Sequence, residues 1–195
     1  MSDDRTIGFY DARADDYART VEDQTDPMLA RFMAGAPTGG HLLDLGCGPG
    51  HAAAVMAGAG FRVTACDASA EMVRLASAMA GVTARQARFD ALDDVAAYDG
   101  IWASYSLLHA PRAALPGRLA AVHRALTPGG LFCIGMKLGT GEKIDSLGRF
   151  YSYYGESELE DLLGAAGFEV TDRHLSEIRG MSGQLEAGIT VFAHG

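Results

Sequence analysis

The sequence predicts an α/β fold with a mostly parallel sheet, an antiparallel end and an N-terminal helical cap. Three observations predict it. Short apolar runs alternate with longer helical patterns, a glycine-rich turn joins one such run to an Ala-rich helix, and two strand-like runs close the chain. The first 34 residues read as acidic helix carrying Phe9, Tyr10 and Tyr17, ending at Gly35-Ala-Pro-Thr-Gly-Gly40. Residues 1–38 are therefore expected as a cap and 39–195 as the core of one unit. His41 to Leu45, Phe61 to Cys66, Gly100 to Ala103 and Leu131 to Met136 read as buried strands, with a weaker one before Asp90. His51 to Gly58, Ser69 to Ala80 and Arg112 to Ala125 are long enough for the crossover helices that parallel strands require. Ser69 is an expected N-cap, with Glu71 in the first turn. Leu159, Leu162, Leu163 and Ala166 follow helical spacing behind a capping-box pattern of Ser157 and Glu160, and Gly167 ends that helix. Phe168 to Glu177 and Gln184 to Ala193 then form a closing hairpin around Arg179-Gly-Met-Ser-Gly183, which makes seven strands.

The chain has 195 residues, 48% hydrophobic and 21% charged, enough for one globular domain with a core. Sixteen Lys and Arg against 25 Asp and Glu give a net charge of −9, which argues against broad contact with a nucleic-acid backbone or an anionic membrane. Cys47, Cys66 and Cys133 form no CxxC pair and are odd in number, so neither a metal site nor a disulfide framework is implied. The acidic N-terminus lacks the apolar core of a signal peptide, and no run of about 18 apolar residues occurs. A cytoplasmic protein is the expectation.

Leu42 to Gly50, LLDLGCGPG, carries most of the functional information. Gly46, Gly48 and Gly50 allow positive φ and close approach of a ligand to the backbone, and the following helix N-terminus offers free N–H groups. Asp44 is placed to accept hydrogen bonds from this loop. Asp67, 23 residues on and at the end of the next strand, suits the two hydroxyls of a ribose. Phe89 and Asp90 would stack on an adenine and accept from its amino group.

Together LLDLGCGPG, Asp67, ARFDAL with Asp90, and LTPGG (Leu126 to Gly130) resemble, in order, the class I S-adenosylmethionine-dependent methyltransferases. That resemblance implies a Rossmann-like three-layer sandwich, S-adenosylmethionine as cofactor and methyl transfer as activity. It implies that Gly46, Cys47, Gly48 and Gly50 surround the methionine part, that Asp67 takes ribose and Asp90 adenine, and that Ala68 to Met72 line the adenine. Ala103 and Ser104 would lie beside the cofactor and His109 near the mouth of the site. Tyr10 and Tyr17 would belong to a lid over the cofactor and its substrate.

Methyl transfer is an in-line displacement at an already activated carbon, so the protein mainly positions a nucleophile and excludes water. His109 is the candidate general base where the acceptor carries a proton, and Tyr105 the candidate orienting group. Lys137 to Glu156 holds both lysines of the chain, Lys137 and Lys143, together with Arg149 and four of its 16 aromatic residues, Tyr153 among them. A substrate loop for a small anionic molecule is expected there, by ion pairing and stacking.

Two other enzyme readings compete. GRFYSYYGESEL is similar to the segment before the last helix of wobble-uridine tRNA methyltransferases, which makes tRNA the alternative acceptor. GPGHAA also satisfies the GxGxxA pattern of NAD(P)-dependent oxidoreductases, but none of the seven tyrosines has a lysine four residues later. A non-catalytic S-adenosylmethionine-binding module is a third class, and Cys47 as a nucleophile lacks a matched base.

Overall fold

A computed structural model describes residues 4–21, 26–181 and 183–195. Parts of the expected cap, residues 1–3 and 22–25, and Ser182 of the closing turn lie outside the described residues.

Among the described residues the order is α1 (Asp4–Ala12), α2 (Ala14–Val21), α3 (Pro27–Gly35), β1 (His41–Leu45), α4 (His51–Gly58), β2 (Arg62–Asp67), α5 (Ala70–Ser77) and β3 (Val82–Gln86). There follow β4 (Tyr98–Ser104), α6 (Leu115–Ala125), β5 (Leu126–Lys137), β6 (Glu142–Ile144), β7 (Phe150–Ser152), α7 (Glu156–Ala165), β8 (Glu169–Arg179) and β9 (Leu185–His194). The main sheet has seven strands in the order β3-β2-β1-β4-β5-β9-β8. β3 through β5 are parallel, and β9 runs antiparallel between β5 and β8.

The parallel strands read as continuous apolar runs because both sheet faces are covered. On one face Leu42, Val63, Ala65, Trp102, Cys133 and Phe192 meet Leu29 and Phe32 of α3 and Ala53 and Met56 of α4. On the other, Leu43, Ile101, Phe132, Ile134 and Val191 meet α6 through Leu115, Leu119 and Val122, and α7 through Leu159 and Leu163. Adjacent residues of β1 serve opposite cores, as the two-residue period of a strand requires.

Four local expectations change. The expected cap is divided: α3 is a layer helix whose Phe32 ring lies 5.4 Å from that of Trp102, while α1 and α2 cross the strand ends. The 137–156 segment is not a plain loop, because β6 and β7 pair antiparallel within it. Strand β5 includes LTPGG, which falls at the register shift between the Tyr98↔Leu126 and Gly100↔Leu131 pairs. Gly129, at φ +76°, donates its N–H to the Gly195 carbonyl there. Helix α7 begins at Glu156, and it is the Glu158 carboxylate that accepts from the Gly155 N–H at 3.3 Å, two residues before the expected box. The Ser69 N-cap is as expected, its Oγ accepting from the Met72 N–H at 3.1 Å.

Candidate functional site

The carboxyl ends of β1, β2 and β4 open into a cavity of 890 Å³ beneath α1 and α2. Its floor is the glycine loop. Gly46 and Cys47 donate their N–H groups to the Cys66 carbonyl at 2.8 and 3.0 Å, so the loop is anchored to the end of β2. Asp67 completes the anchor, with Oδ2 accepting from Gly48 N–H and Oδ1 from Ser69 N–H, each at 2.9 Å. Ser106 Oγ donates to the Leu45 carbonyl at 2.6 Å and binds the end of β4 to that of β1.

Gly46 has φ +78°, and a Cβ there would overlap the Ser106 Cβ. Ser106 is held by its own hydrogen bond and cannot retreat freely. Gly46→Ala is therefore expected to lower the unfolding free energy by about 2–3 kcal/mol, from left-handed strain plus overlap. A thermal midpoint equal to that of the wild type would contradict this geometry. Gly50 plays a different part from the one expected: at φ +90° its α face touches Ala76 Cα, at 2.8 Å from a built Cβ, so it lets α4 approach α5 and does not line the cavity.

The loop is not held by Asp44, as the sequence suggests. Asp44 is buried in the cavity wall and its Oδ2 has no hydrogen-bond partner. Burial, reinforced by Asp67, pushes its carboxyl up to about 7. Asp67 is also raised by burial, against the hydrogen bonds it accepts from Ser69 and Gly48. Two carboxylates facing one cavity, one of them with an oxygen that has no partner, form a site for a cationic group.

Tyr10, Tyr17, Cys47, Ala68, Met72, Phe89 and Ser104 also line the cavity, as expected. The α1–α2 cap closes over it through side-chain bonds: Asp11 accepts from Ser69 Oγ at 2.5 Å, and Thr6 Oγ1 accepts from Phe150 N–H at 2.9 Å. Cys47 is buried, its thiol donates to the Gly48 carbonyl at 3.3 Å, and burial pushes it up, so it stays protonated.

His109 lines the cavity with both ring nitrogens engaged. A carbonyl can only accept, so Nδ1–H donates to Phe150 O at 2.7 Å, and Nε2 accepts from the Tyr10 hydroxyl at 3.2 Å. Burial, helped by the Arg149 and Lys137 cations, lowers the imidazole to about 4. It is neutral at neutral pH, and its free lone pair is already used.

Other expected site residues lie elsewhere. Ala103 is fully buried in the α6–α7 core, since it faces the opposite side of β4 from Trp102. Asp90 is outside the cavity lining, 3.5 Å from Arg118. Tyr105 lines the cavity, but at φ +51° its ring lies over Gly135 and its hydroxyl is 3.4 Å from Ser176 Oγ, turned toward β8. The anion-binding loop is not formed. Lys137 is buried, paired with Glu186 and 3.6 Å above the Tyr151 ring, while Tyr153 donates to the same Glu186 at 2.8 Å. Arg149 is buried against Asp145 at 2.6 Å. Lys143 is exposed on β6. Burial selected internal partners for Lys137 and Arg149, because a buried charge left unpaired is costly.

The sequence reading missed Asp26, His51 and Trp102, which also line the cavity. His51 directly follows the glycine loop, and that adjacency was the available signal.

Residues 42–130 match a family model described as a methyltransferase domain. A Burkholderia thailandensis 1,6-didemethyltoxoflavin-N1-methyltransferase, solved with 1,6-didemethyltoxoflavin and S-adenosylhomocysteine, is 26% identical over 96% of this chain and 86% of its own, with a TM-score of 0.79. An S-adenosylmethionine-dependent methyltransferase from Mesorhizobium loti is 21% identical over 87% of this chain and 96% of its own, at TM-score 0.69. A putative methyltransferase in complex with the Haloferax volcanii Trm112 activator is 18% identical over 97% and 96%, at TM-score 0.77. No curated protein matches the sequence. No described helix is long and apolar enough to cross a membrane. The cofactor is S-adenosylmethionine: the glycine cradle and the free Oδ2 of Asp44 suit a ligand with an amino-acid end, and the nicotinamide reading falls. The fold, the cavity and the matched segment together give this chain a methyltransferase domain, with the fold of the S-adenosylmethionine-dependent methyltransferases.

Proposed function

We propose that this enzyme transfers a methyl group to a small molecule seated beside the cofactor in the same cavity. The observation that carries this reading is the 890 Å³ volume of the cavity, near the upper end of single-ligand sites and therefore roomy enough for two. Several arginines of the chain are paired with acids: Arg74 with Asp15 and Glu71, Arg88 with Asp4, Arg112 with Glu158. That disfavours the extended basic surface a tRNA acceptor needs. The Burkholderia enzyme, named for N1-methylation of 1,6-didemethyltoxoflavin, supports the same choice.

In this reading the residues divide the work. Gly46, Cys47 and Gly48 hold the methionine part against the backbone, Asp44 receives its ammonium, and Asp67 takes the ribose hydroxyls. Met72 and Phe89 flank the adenine; Asp90 would first have to leave Arg118. When bound, the cofactor supplies an activated methyl carbon. Tyr10 and Tyr17 exclude water from above, and His109 positions Tyr10, so a proton reaches His109 Nε2 only through the Tyr10 hydroxyl.

Asp44 gives this assignment a pH signature. Its carboxyl, raised from 3.8 to about 7 in the free protein, is largely protonated at pH 6 and must ionise to pair with an ammonium. Its folded value exceeds its unfolded one, so its contribution to free-protein stability is lost as pH rises from about 4 through 7. Ligand affinity runs the other way: S-adenosylhomocysteine should bind about tenfold tighter at pH 8 than at pH 6 by proton linkage. Calorimetry on Asp44→Asn should show that dependence gone; a persistent tenfold rise would remove Asp44 from the subsite. To test the acceptor class, purified enzyme is given labelled cofactor with a low-molecular-weight extract or with total tRNA. Label in small molecules supports the proposal, and label in tRNA alone refutes it.

A further inference from the structure

The side of the cavity built by α3 and α4 forms a lobe of its wall, adjoining Asp44 through the Asp44↔Trp102 pair of β1 and β4. Its walls are Leu29, Ala30 and Met33 of α3 and Ala52 and Val55 of α4, with Trp102 of β4 on the same side of the sheet. These groups are apolar. The polar lining residues that belong to these two helices are Asp26, the N-cap of α3, and His51, the first residue of α4. Asp26 uses Oδ1 to cap α3 through Met28 N–H at 2.8 Å, which leaves carboxylate lone pairs for a ligand. Neither Lys nor Arg is found among the described cavity-lining residues, which include three carboxylates, Asp26, Asp44 and Asp67.

That charge pattern selects. An anion entering the lobe would be desolvated beside Asp26 with no protein cation to meet it. A cationic acceptor would in turn approach a site built to hold the cofactor's own positive charges. An uncharged ring meets the apolar walls without either cost.

We infer that this lobe is the acceptor subsite and that it takes an uncharged, mainly apolar ring compound bearing one N–H or O–H donor, which Asp26 receives. This rests on the methyltransferase reading, and it replaces the anionic acceptor that the Lys137–Glu156 composition suggested.

The test uses S-adenosylhomocysteine-loaded protein and three probes of one shape: 2-naphthol, 2-naphthoate and 2-(aminomethyl)naphthalene, titrated by calorimetry. The neutral probe is expected to bind at least about tenfold more tightly than either charged one, as one lost desolvated polar contact implies. Ala30→Trp and Val55→Trp, both at solvent-accessible lobe positions, are expected to weaken 2-naphthol at least about tenfold while leaving S-adenosylhomocysteine affinity unchanged. Equal or tighter binding of either charged probe overturns the inference, as does 2-naphthol binding unaffected by both lobe-filling variants. Failure of S-adenosylhomocysteine itself to bind overturns the cofactor assignment instead, and is read separately.

Discussion

Asp67→Ala is expected to weaken S-adenosylhomocysteine binding by about 10²–10³-fold. Each Asp67 oxygen accepts one backbone N–H, from Gly48 or Ser69, and keeps a lone pair for a ribose hydroxyl. Hydrogen bonds to a charged group contribute about 1.5–3 kcal/mol each, so losing two removes about 3–4 kcal/mol, or two to three decades of affinity. The substitution also frees Gly48 N–H, so part of the loss would come from a loosened loop. Asp67→Asn separates the two effects. It keeps one acceptor for the loop but not the charge, and should lose about tenfold. Ser69→Ala, which removes both the α5 cap and the Asp11 bond that fastens α1 over the cavity, should cost about 1–2 kcal/mol of stability and weaken affinity only a few-fold. Calorimetry with both adenosyl ligands checks all three, and wild-type affinity in Asp67→Ala would remove Asp67 from the ribose subsite.

Arg149→Ala is expected to destabilise the fold by about 3–5 kcal/mol, because it breaks a buried pair and leaves Asp145 uncompensated. Asp145 accepts from Arg149 through Nε, Nη2 and the backbone N–H. The guanidinium also lies 5.2 Å from the Phe9 ring centre and 5.3 Å from that of Tyr151, so it fastens α1 to β7. In a chain of this size the thermal midpoint should fall by roughly 10 °C. S-adenosylhomocysteine affinity, measured well below that midpoint, should change only a few-fold, through the Tyr10 hydroxyl 3.4 Å away. An unchanged midpoint with lost ligand affinity would restore Arg149 to the binding role that its composition suggested.

These two residues also show which parts of the site were legible in one dimension. Asp67 and the glycines act through neighbours close in sequence or across one strand pair: Gly48 to Asp67 spans 19 residues and is set by the β1–β2 register. The geometry follows from a strand ending in glycine beside another ending in acid. Ser69 is more local still, since a cap needs only the next turn of helix. The seven strands and the antiparallel end were legible for a similar reason, the period and length of successive apolar runs, whereas their order in the sheet came from the structure.

Lys137 and Arg149 were misleading because their partners, Glu186 and the Tyr10–Asp145 set, arrive from β9, the cap and the β6–β7 turn. Composition counts a cation but cannot say whether a carboxylate will meet it. His109 was correctly drawn to the cavity, yet its tautomer depends on Phe150, 41 residues away, and its lone pair on Tyr10, 99 residues away.

The sequence by itself determined the layers, the cofactor end and the acid that follows β2, because strand period, glycine torsions and helix caps are properties of a few adjacent residues. The tertiary structure alone decided which charges are consumed internally and which face the cavity. It also formed the apolar lobe, where α3, α4 and Trp102 meet although no two of these segments are adjacent in their pattern. Burial and ion pairing are non-local: each depends on the full set of groups brought within a few ångströms, and only the folded chain defines that set.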